Sequence, residues 1–194
     1  MHRTEAAARA WSLQVTRAQA LTVAGIVGAS VATAVAAHVR IPLPFSPVPV
    51  TLQTMVVLLA GALLGAPAGA LSQALYLALG AAGVVSFAGG SLLGVTGGYL
   101  AGFVIAAGLV GAVARRTDSV LLVGAAMAVG DLTLLLLGAA WLAHVSGLSA
   151  TQALAAGVAP FLPGDAIKLA AALGIWRVGR PAWRRLLHGS DRHA

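Results

Sequence analysis

The stretch IPLPFSPVPVTLQTMVVLLAGALLGAPAGALSQALYLALGAAGVVSFAGGSLLGVTGGYLAGFVIAAGLVGAVA, from Ile41 to Ala114, contains no Asp, Glu, Lys, Arg or His. A helix crosses the roughly 30 Å hydrocarbon layer of a bilayer with about 20 apolar residues, so this run alone suffices for about three passes. The rest of the chain agrees. Of 194 residues, 59% are hydrophobic and only 9% charged, against about 25% charged in an average soluble domain. The composition predicts an all-α membrane protein.

Breaks in the apolar pattern divide the chain. Residues 1–20 are polar and basic, with residues 6–20 predicted as a short interfacial helix that sets Trp11 at headgroup level. A first span is predicted over residues 21–39. Residues 41–49 then hold four prolines, Pro42, Pro44, Pro47 and Pro49, which remove backbone donors and force an extended path. Further spans are predicted over residues 50–66 and 68–85, from near Val95-Thr-Gly-Gly-Tyr99 to just before Arg115-Arg116, over residues 119–145, and over residues 165–178. That is a bundle of six transmembrane helices over residues 21–178, followed by a basic tail at 179–194.

The basic residues orient it. Arg3, Arg9, Arg17, Arg115, Arg116, Arg177, Arg180, Arg184, Arg185 and Arg192 fall on one side, Arg40 alone falls on the other, and Lys168 lies within a span. Positive charge collects on the cytoplasmic side, so both termini are expected in the cytoplasm of a multi-pass plasma-membrane protein. The net charge of +7 is then explained by topology and anionic lipid rather than nucleic acid. The beginning of the chain, with Glu5 among its arginines, does not read as a secretory signal.

Several chemistries are excluded. There is no cysteine, hence no disulfide or thiolate site. His2, His38, His144, His188 and His193 show no metal-ligand spacing, so neither a metal nor a cofactor is expected. No Gly-x-x-x-x-Gly-Lys-Ser/Thr loop occurs, so ATP, if used, is hydrolysed by another chain. No paired catalytic groups occur, and the chain does not read as an enzyme.

Asp165 and Lys168 stand three residues apart at the start of the last span, on one helix face. Charge at membrane depth is costly and marks ligand or ion paths. A mutual salt bridge that merely tolerates burial would use the same spacing. Asp131 is a second intramembrane carboxylate, placed to reach Lys168, to line a cavity, or to sit near the boundary. Gln53, Gln73 and Thr96 hydrogen-bond either between helices or to a ligand. Gly97 and Gly98 open a helix before Tyr99, where free N–H groups suit an anionic group or the glycines serve close packing. Along the first span Ala20, Ala24, Gly28, Ala32 and Ala36 repeat every four residues, a spacing that serves docking of another membrane protein or internal packing.

Three stretches together resemble the BioY family, the biotin-binding S-components of energy-coupling factor transporters. They are Pro44-Phe-Ser-Pro-Val-Pro-Val-Thr-Leu-Gln53, the pair Phe87-Ala-Gly-Gly90 and Gly94-Val-Thr-Gly-Gly-Tyr-Leu-Ala-Gly102, and Pro160-Phe-Leu-Pro-Gly-Asp-Ala-Ile-Lys168. The resemblance covers roughly residues 20–178. It implies a biotin site near the outer face that includes Asp165 and Lys168, with Gln53, Thr96 and Gly97 as further polar candidates. Phe45, Phe87 and Tyr99 are expected to cover the ring system, and the proline-rich segment to act as a lid. It also implies that the small-residue stripe faces a transmembrane coupling subunit, and that two ATPase subunits complete the transporter. The chain departs from the family at Val95, where Pro is usual, near Leu135, where relatives often carry Tyr, and at Asp131. A stand-alone transporter driven by protons or ions, with Asp131 and Asp165 as coupling groups, is the second reading of the same residues.

Overall fold

The computed structural model describes the backbone of residues 2–188 and the side chains of residues 17–186. The expected headgroup position of Trp11, and the arginines at 3, 9 and 192, fall outside the described side chains. In chain order the elements are α1 (His2–Ala36), β1 (Arg40–Leu43), β2 (Ser46–Thr51), α2 (Gln53–Leu64), α3 (Ala66–Ala81), α4 (Gly97–Ala114), α5 (Val120–Ser146), α6 (Ala150–Gly157) and α7 (Leu162–His188).

Polarity is distributed as a bilayer requires. Val23, Val27, Val31, Val35 and Val39 recur every four residues along and just beyond α1 and are all exposed. Inside lie Ser30, Thr33, Gln53, Ser72 and Gln73. Neutral polar groups in a membrane bundle hydrogen-bond across helices. Thr33 Oγ1 accordingly donates to Gln73 Oε1 at 3.2 Å, tying α1 to α3, and Gln53 Nε2 donates to Tyr76 Oη at 2.9 Å, tying α2 to α3.

α4 is the central helix, packed against α2, α3 and α5. Glycine makes the close approach possible. A Cβ on Gly61 of α2 would overlap the backbone of Ala107, and one on Gly111 of α4 would overlap the chain at Gly65 and Ala66. Lipid supplies no hydrophobic drive, so dense van der Waals contact of this kind holds such bundles together. Gly65 also makes the turn between α2 and α3 with φ of 83°, a conformation that costs glycine nothing.

Three stretches of helix are long and apolar enough to cross a membrane among the described residues: Arg17–Ala36, Gly97–Ala114 and Val120–Ser146. The pair Ala150–Gly157 and Leu162–Leu186, bent by 50° at the break, would make a fourth. Two predicted spans are shorter than expected. Val50 and Thr51 belong to β2, which leaves α2 with 12 residues, and α3 ends at Ala81 with 16. At 1.5 Å per residue these are about 18 and 24 Å long.

Two boundaries also differ. α1 runs without a break through residue 20, because its alanine-rich start continues the helical register of the span. α7 runs on through Pro181 to His188, so much of the expected tail is helix. The proline-rich segment is extended, as predicted, and forms an antiparallel hairpin with Arg40 opposite Thr51 and Ile41 opposite Val50. The register slips between Ile41 and Leu43, where Pro42 has no N–H to give the ladder. Prolines are tolerated because a two-stranded ribbon has only edge strands.

Candidate ligand pocket

The hairpin, the glycine-rich loop and the bend between α6 and α7 meet at one end of the bundle. Each is tied to a helix by a specific bond. Ser46 Oγ on β2 donates to the Ala156 carbonyl of α6 at 2.8 Å. Trp141 Nε1 on α5 donates to the Gly94 carbonyl at 2.8 Å, holding the glycine-rich loop. Arg40 Nη1 reaches the Ala88 carbonyl at 3.4 Å and joins the hairpin base to that loop. The bend exists because the helical register stops at Gly157 and restarts at Leu162, across Pro160. A capping box of Ser149 and Gln152 starts α6.

These elements border a narrow pocket with about 40 Å³ of free volume. Asp165 and Lys168 form one wall. Lys168 Nζ donates to Asp165 Oδ1 at 2.7 Å, and Thr54 Oγ1 donates to the same oxygen at 3.3 Å. Asp165 is 3% exposed and Lys168 8%. The other carboxylate oxygen, Oδ2, is buried with no hydrogen-bond partner, and so is the hydroxyl of Thr96 on the pocket lining. Unsatisfied polar groups are expensive away from water. Asp165 and Thr96, both on the pocket lining, each carry one such group.

Of the residues singled out from sequence, Asp165, Lys168, Gln53, Thr96 and Tyr99 line this pocket together. Gln53 is already engaged: its Nε2 donates to Tyr76, and its Oε1 accepts from Thr51 Oγ1 at 3.3 Å. Tyr99 presents its ring and sends its hydroxyl to the Gly157 carbonyl at 2.6 Å. Three others lie off the lining. Phe45 sits between the strands at the hairpin tip and is 66% exposed. Phe87 is buried edge-on against Tyr76, with ring centroids 5.5 Å apart, and its neighbour Ala88 reaches the pocket instead. Gly97 begins α4, but its N–H donates to the Gly94 carbonyl at 3.0 Å, and a Cβ there would overlap the Leu92 carbonyl. Close packing therefore accounts for that glycine.

The lining also includes Leu135, noted above as a departure from the family, and Thr54, Phe103, Leu134 and Phe161, which sequence reasoning did not single out. Phe161 lies inside a motif quoted for its prolines and charges, and Thr54 is one residue past Gln53. Nothing in the local pattern distinguishes Phe103 or Leu134 from other apolar core residues. Asp131 on α5 is 7% exposed, its Oδ1 has no partner, and it is not part of the lining.

On the outside of α1, Ala20, Ala24, Gly28 and Ala32 are exposed, whereas Ala36 is buried. A shallow apolar groove borders this face, lined by Gly28, Ala32, Leu59, Leu63 and Trp183. No group of three or more possible metal ligands occurs among the described residues.

The chain is similar to known proteins over most of its length. It is 39% identical to the probable biotin transporter BioY of Pyrococcus horikoshii over 142 residues, covering 69% of this chain and 82% of that one. It is 36% identical to the biotin transporter BioY of Rhizobium etli over 150 residues, covering 69% and 80%. Among solved structures it resembles the S-component for biotin from an ECF-type ABC transporter, with a TM-score of 0.77 and 26% identity, covering 84% of this chain and 92% of that one. The match to the BioY family extends over residues 7–185, and the chain belongs to that family of multi-pass membrane proteins.

Proposed function

We propose that the chain is the S-component of a biotin uptake transporter, the subunit that captures the vitamin. The carrying observation is the buried Asp165–Lys168 pair with one carboxylate oxygen left unpartnered on the pocket wall. The ureido ring of biotin has two N–H donors and one carbonyl acceptor. Asp165 Oδ2 accepts from an N–H, and the Thr96 hydroxyl pairs with either kind of group. Lys168 holds Asp165 in place and offers its remaining protons to an oxygen of the ligand. Tyr99, Phe103 and Phe161 cover the apolar thioether ring. A mostly apolar pocket with a few placed polar groups is the usual form of a small-molecule site.

The pocket is narrow, so capture of a vitamin-sized ligand requires it to widen. Val48, Pro49 and Thr51 of the hairpin form its cover, held to α6 by the Ser46 bond. We read the hairpin as the lid. Its prolines limit the conformational freedom lost when it closes.

The chain-wide reading follows from the same placement. Residues 21–178 form the binding domain with six passes, counting α2 and α3 as short ones. Residues 1–20 and 179–194 are the flanking basic segments, and both termini face the cytoplasm. Arg115, Arg180 and Arg184 lie together at the bundle end opposite the hairpin, which supports a cytoplasmic basic face and an outer pocket. Ala20, Ala24, Gly28 and Ala32 offer the exposed face for a transmembrane coupling subunit, with Ala36 supporting it from the buried side. Two ATPase subunits supply the energy, and the chain itself carries out no reaction.

Isothermal calorimetry of the purified chain with biotin tests the reading: saturable one-to-one binding is expected, and absence of binding overturns it. Uptake in cells lacking the ATPase and coupling chains separates it from the ion-driven alternative, which predicts transport that collapses with the proton gradient.

A further inference from the structure

A second charged cavity lies at the far end of α7 and plays no part in the pocket. It measures about 730 Å³ and opens between the last turns of α7 and the connection from α4 to α5. Arg177, Arg180, Arg184 and Arg185 line it, with Asp118 and the indole of Trp176.

Arg180 is fixed in place. Its Nη1 donates to the Thr117 carbonyl at 2.7 Å and its Nη2 to the Ala114 carbonyl at 2.9 Å. It pairs with Asp118 and stacks 4.9 Å from the centroid of the Trp176 ring. Asp118 also meets Arg184 at 3.3 Å, so among the described residues one lining carboxylate serves two guanidinium groups. The carbonyls carry no net charge, and the described lining residues, with Arg177, Arg180 and Arg185 besides the Arg184–Asp118 contact, carry a surplus of positive charge.

An independent observation comes from Trp176. It is 2% exposed, it walls this cavity, and its Nε1 is buried with no hydrogen-bond partner. A buried indole N–H without an acceptor is costly. Guanidinium forks beside such a donor match an anion that presents several oxygens.

We propose that this cavity binds the phosphate of an anionic phospholipid. Its depth in the bundle selects lipid. Arg177 and Arg185 lie twelve and twenty residues beyond Asp165, about 18 to 30 Å along one helix at 1.5 Å per residue. That length matches a hydrocarbon layer about 30 Å thick and sets the guanidinium groups at the opposite headgroup region. Apolar surface for acyl chains adjoins the cavity: Val178 is 81% exposed and Leu121 80%, each next in sequence to a lining residue, Arg177 and Val120. Basic pockets between helices at this height are suited to phosphate headgroups.

The test is native mass spectrometry of the full chain in detergent with added phosphatidylglycerol or phosphatidylcholine. Retention of phosphatidylglycerol in preference to phosphatidylcholine is expected. The double variant Arg177→Gln/Arg185→Gln, which leaves the Arg180 bonds intact, should retain phosphatidylglycerol roughly tenfold less well or worse. Trp176→Phe keeps the aromatic packing, removes the donor, and should weaken retention severalfold. Unchanged biotin binding in both variants shows that the fold is intact. Equal retention of the two lipids by the wild type, or undiminished phosphatidylglycerol on the double variant, overturns the proposal. Inorganic phosphate and glycerol phosphate should displace the lipid only weakly. Displacement by either as effective as by the lipid itself makes this a soluble-anion site and overturns the lipid assignment. A double variant that keeps its lipid but fails to assemble with other transporter chains assigns the arginines to an acidic protein surface instead.

Discussion

At one end of α7, Lys168 meets Asp165 at 2.7 Å on the wall of a narrow pocket with about 40 Å³ of free volume. At the other end, Arg180 binds the last carbonyl of α4 and one in the connection to α5, and faces an open cavity shared with three more arginines. Both sites bury a cation on the same helix, but they use its hydrogen bonds differently. Lys168 is committed to a carboxylate that still has a free oxygen, so the pair stays half satisfied. Arg180 gives both terminal nitrogens to backbone carbonyls, so its first task is to hold the end of α4 against α7. The difference separates a site prepared for a ligand from one that is structural before it is anything else.

The sharpest way to break that distinction is Asp165→Asn. The variant keeps the shape of the side chain but loses the charge and leaves Lys168 without its counter-ion. Breaking a buried pair by removing one partner costs about 3–5 kcal/mol, of which the part lost to the ligand should lower biotin affinity by roughly two to three orders of magnitude. Calorimetry on the purified variant measures it. An unchanged affinity would remove Asp165 from the site and leave the orphaned oxygen unexplained.

Arg180→Gln is the matching change at the other end, and it should act on stability rather than on biotin. Hydrogen bonds to a charged group are worth about 1.5–3 kcal/mol, and the variant loses the charge while the carbonyls of Ala114 and Thr117 lose their donor. A loss of about 2–3 kcal/mol is expected in thermal unfolding of the solubilised protein, with biotin affinity of the folded fraction nearly unchanged. A variant as stable as wild type, but with weakened biotin binding, would reverse the contrast between the two ends.

How much of this was legible in the sequence depends on the scale of the feature. The charge-free run from Ile41 to Ala114 and the basic clusters mark a membrane protein, because burial in lipid constrains every residue of a span. The Asp165–Lys168 pair was legible for the same reason: a charge there has few structural excuses. The hairpin was legible only as an extended segment, since Pro42 marks the slip in register but not the pairing itself. The short α2 was not, because strand and helix meet in Val50-Thr-Leu-Gln53, where hydropathy does not change. Among the aromatics, Tyr99 lines the pocket, while Phe45 and Phe87 lie off its lining. Phe45 follows a strand that turns away at its tip, and Phe87 is taken up by the space over Gly80 and Tyr76. Those are facts of packing between elements far apart in the chain, which no local pattern carries.

Tyr99 allows a finer test within the pocket itself. Its ring lies on the lining, and its hydroxyl leaves the pocket to bind the Gly157 carbonyl, joining α4 to the end of α6. Gly138 and Gly157 leave room for it, since a Cβ at either position would collide with the tyrosine. Tyr99→Phe should therefore cost about 1 kcal/mol of stability and change biotin affinity by less than about threefold, because only the bond behind the pocket is lost.

The smallest effect is expected at the rim of the arginine cavity. Asp118 is 74% exposed, so solvent screens its pairs with both buried Arg180 and half-exposed Arg184, and such screened pairs contribute about 0–1 kcal/mol. Asp118→Asn should leave thermal stability within that range, while its loss of negative charge raises the surplus on the cavity. Anionic lipid should then bind at least as tightly as to wild type, measured by the same mass-spectrometric titration. Weaker lipid binding in this variant would mean that Asp118 orients the guanidinium groups rather than merely diluting their charge. In that case the cavity would resemble the pocket at the other end of α7, where a carboxylate and a cation act only as a pair.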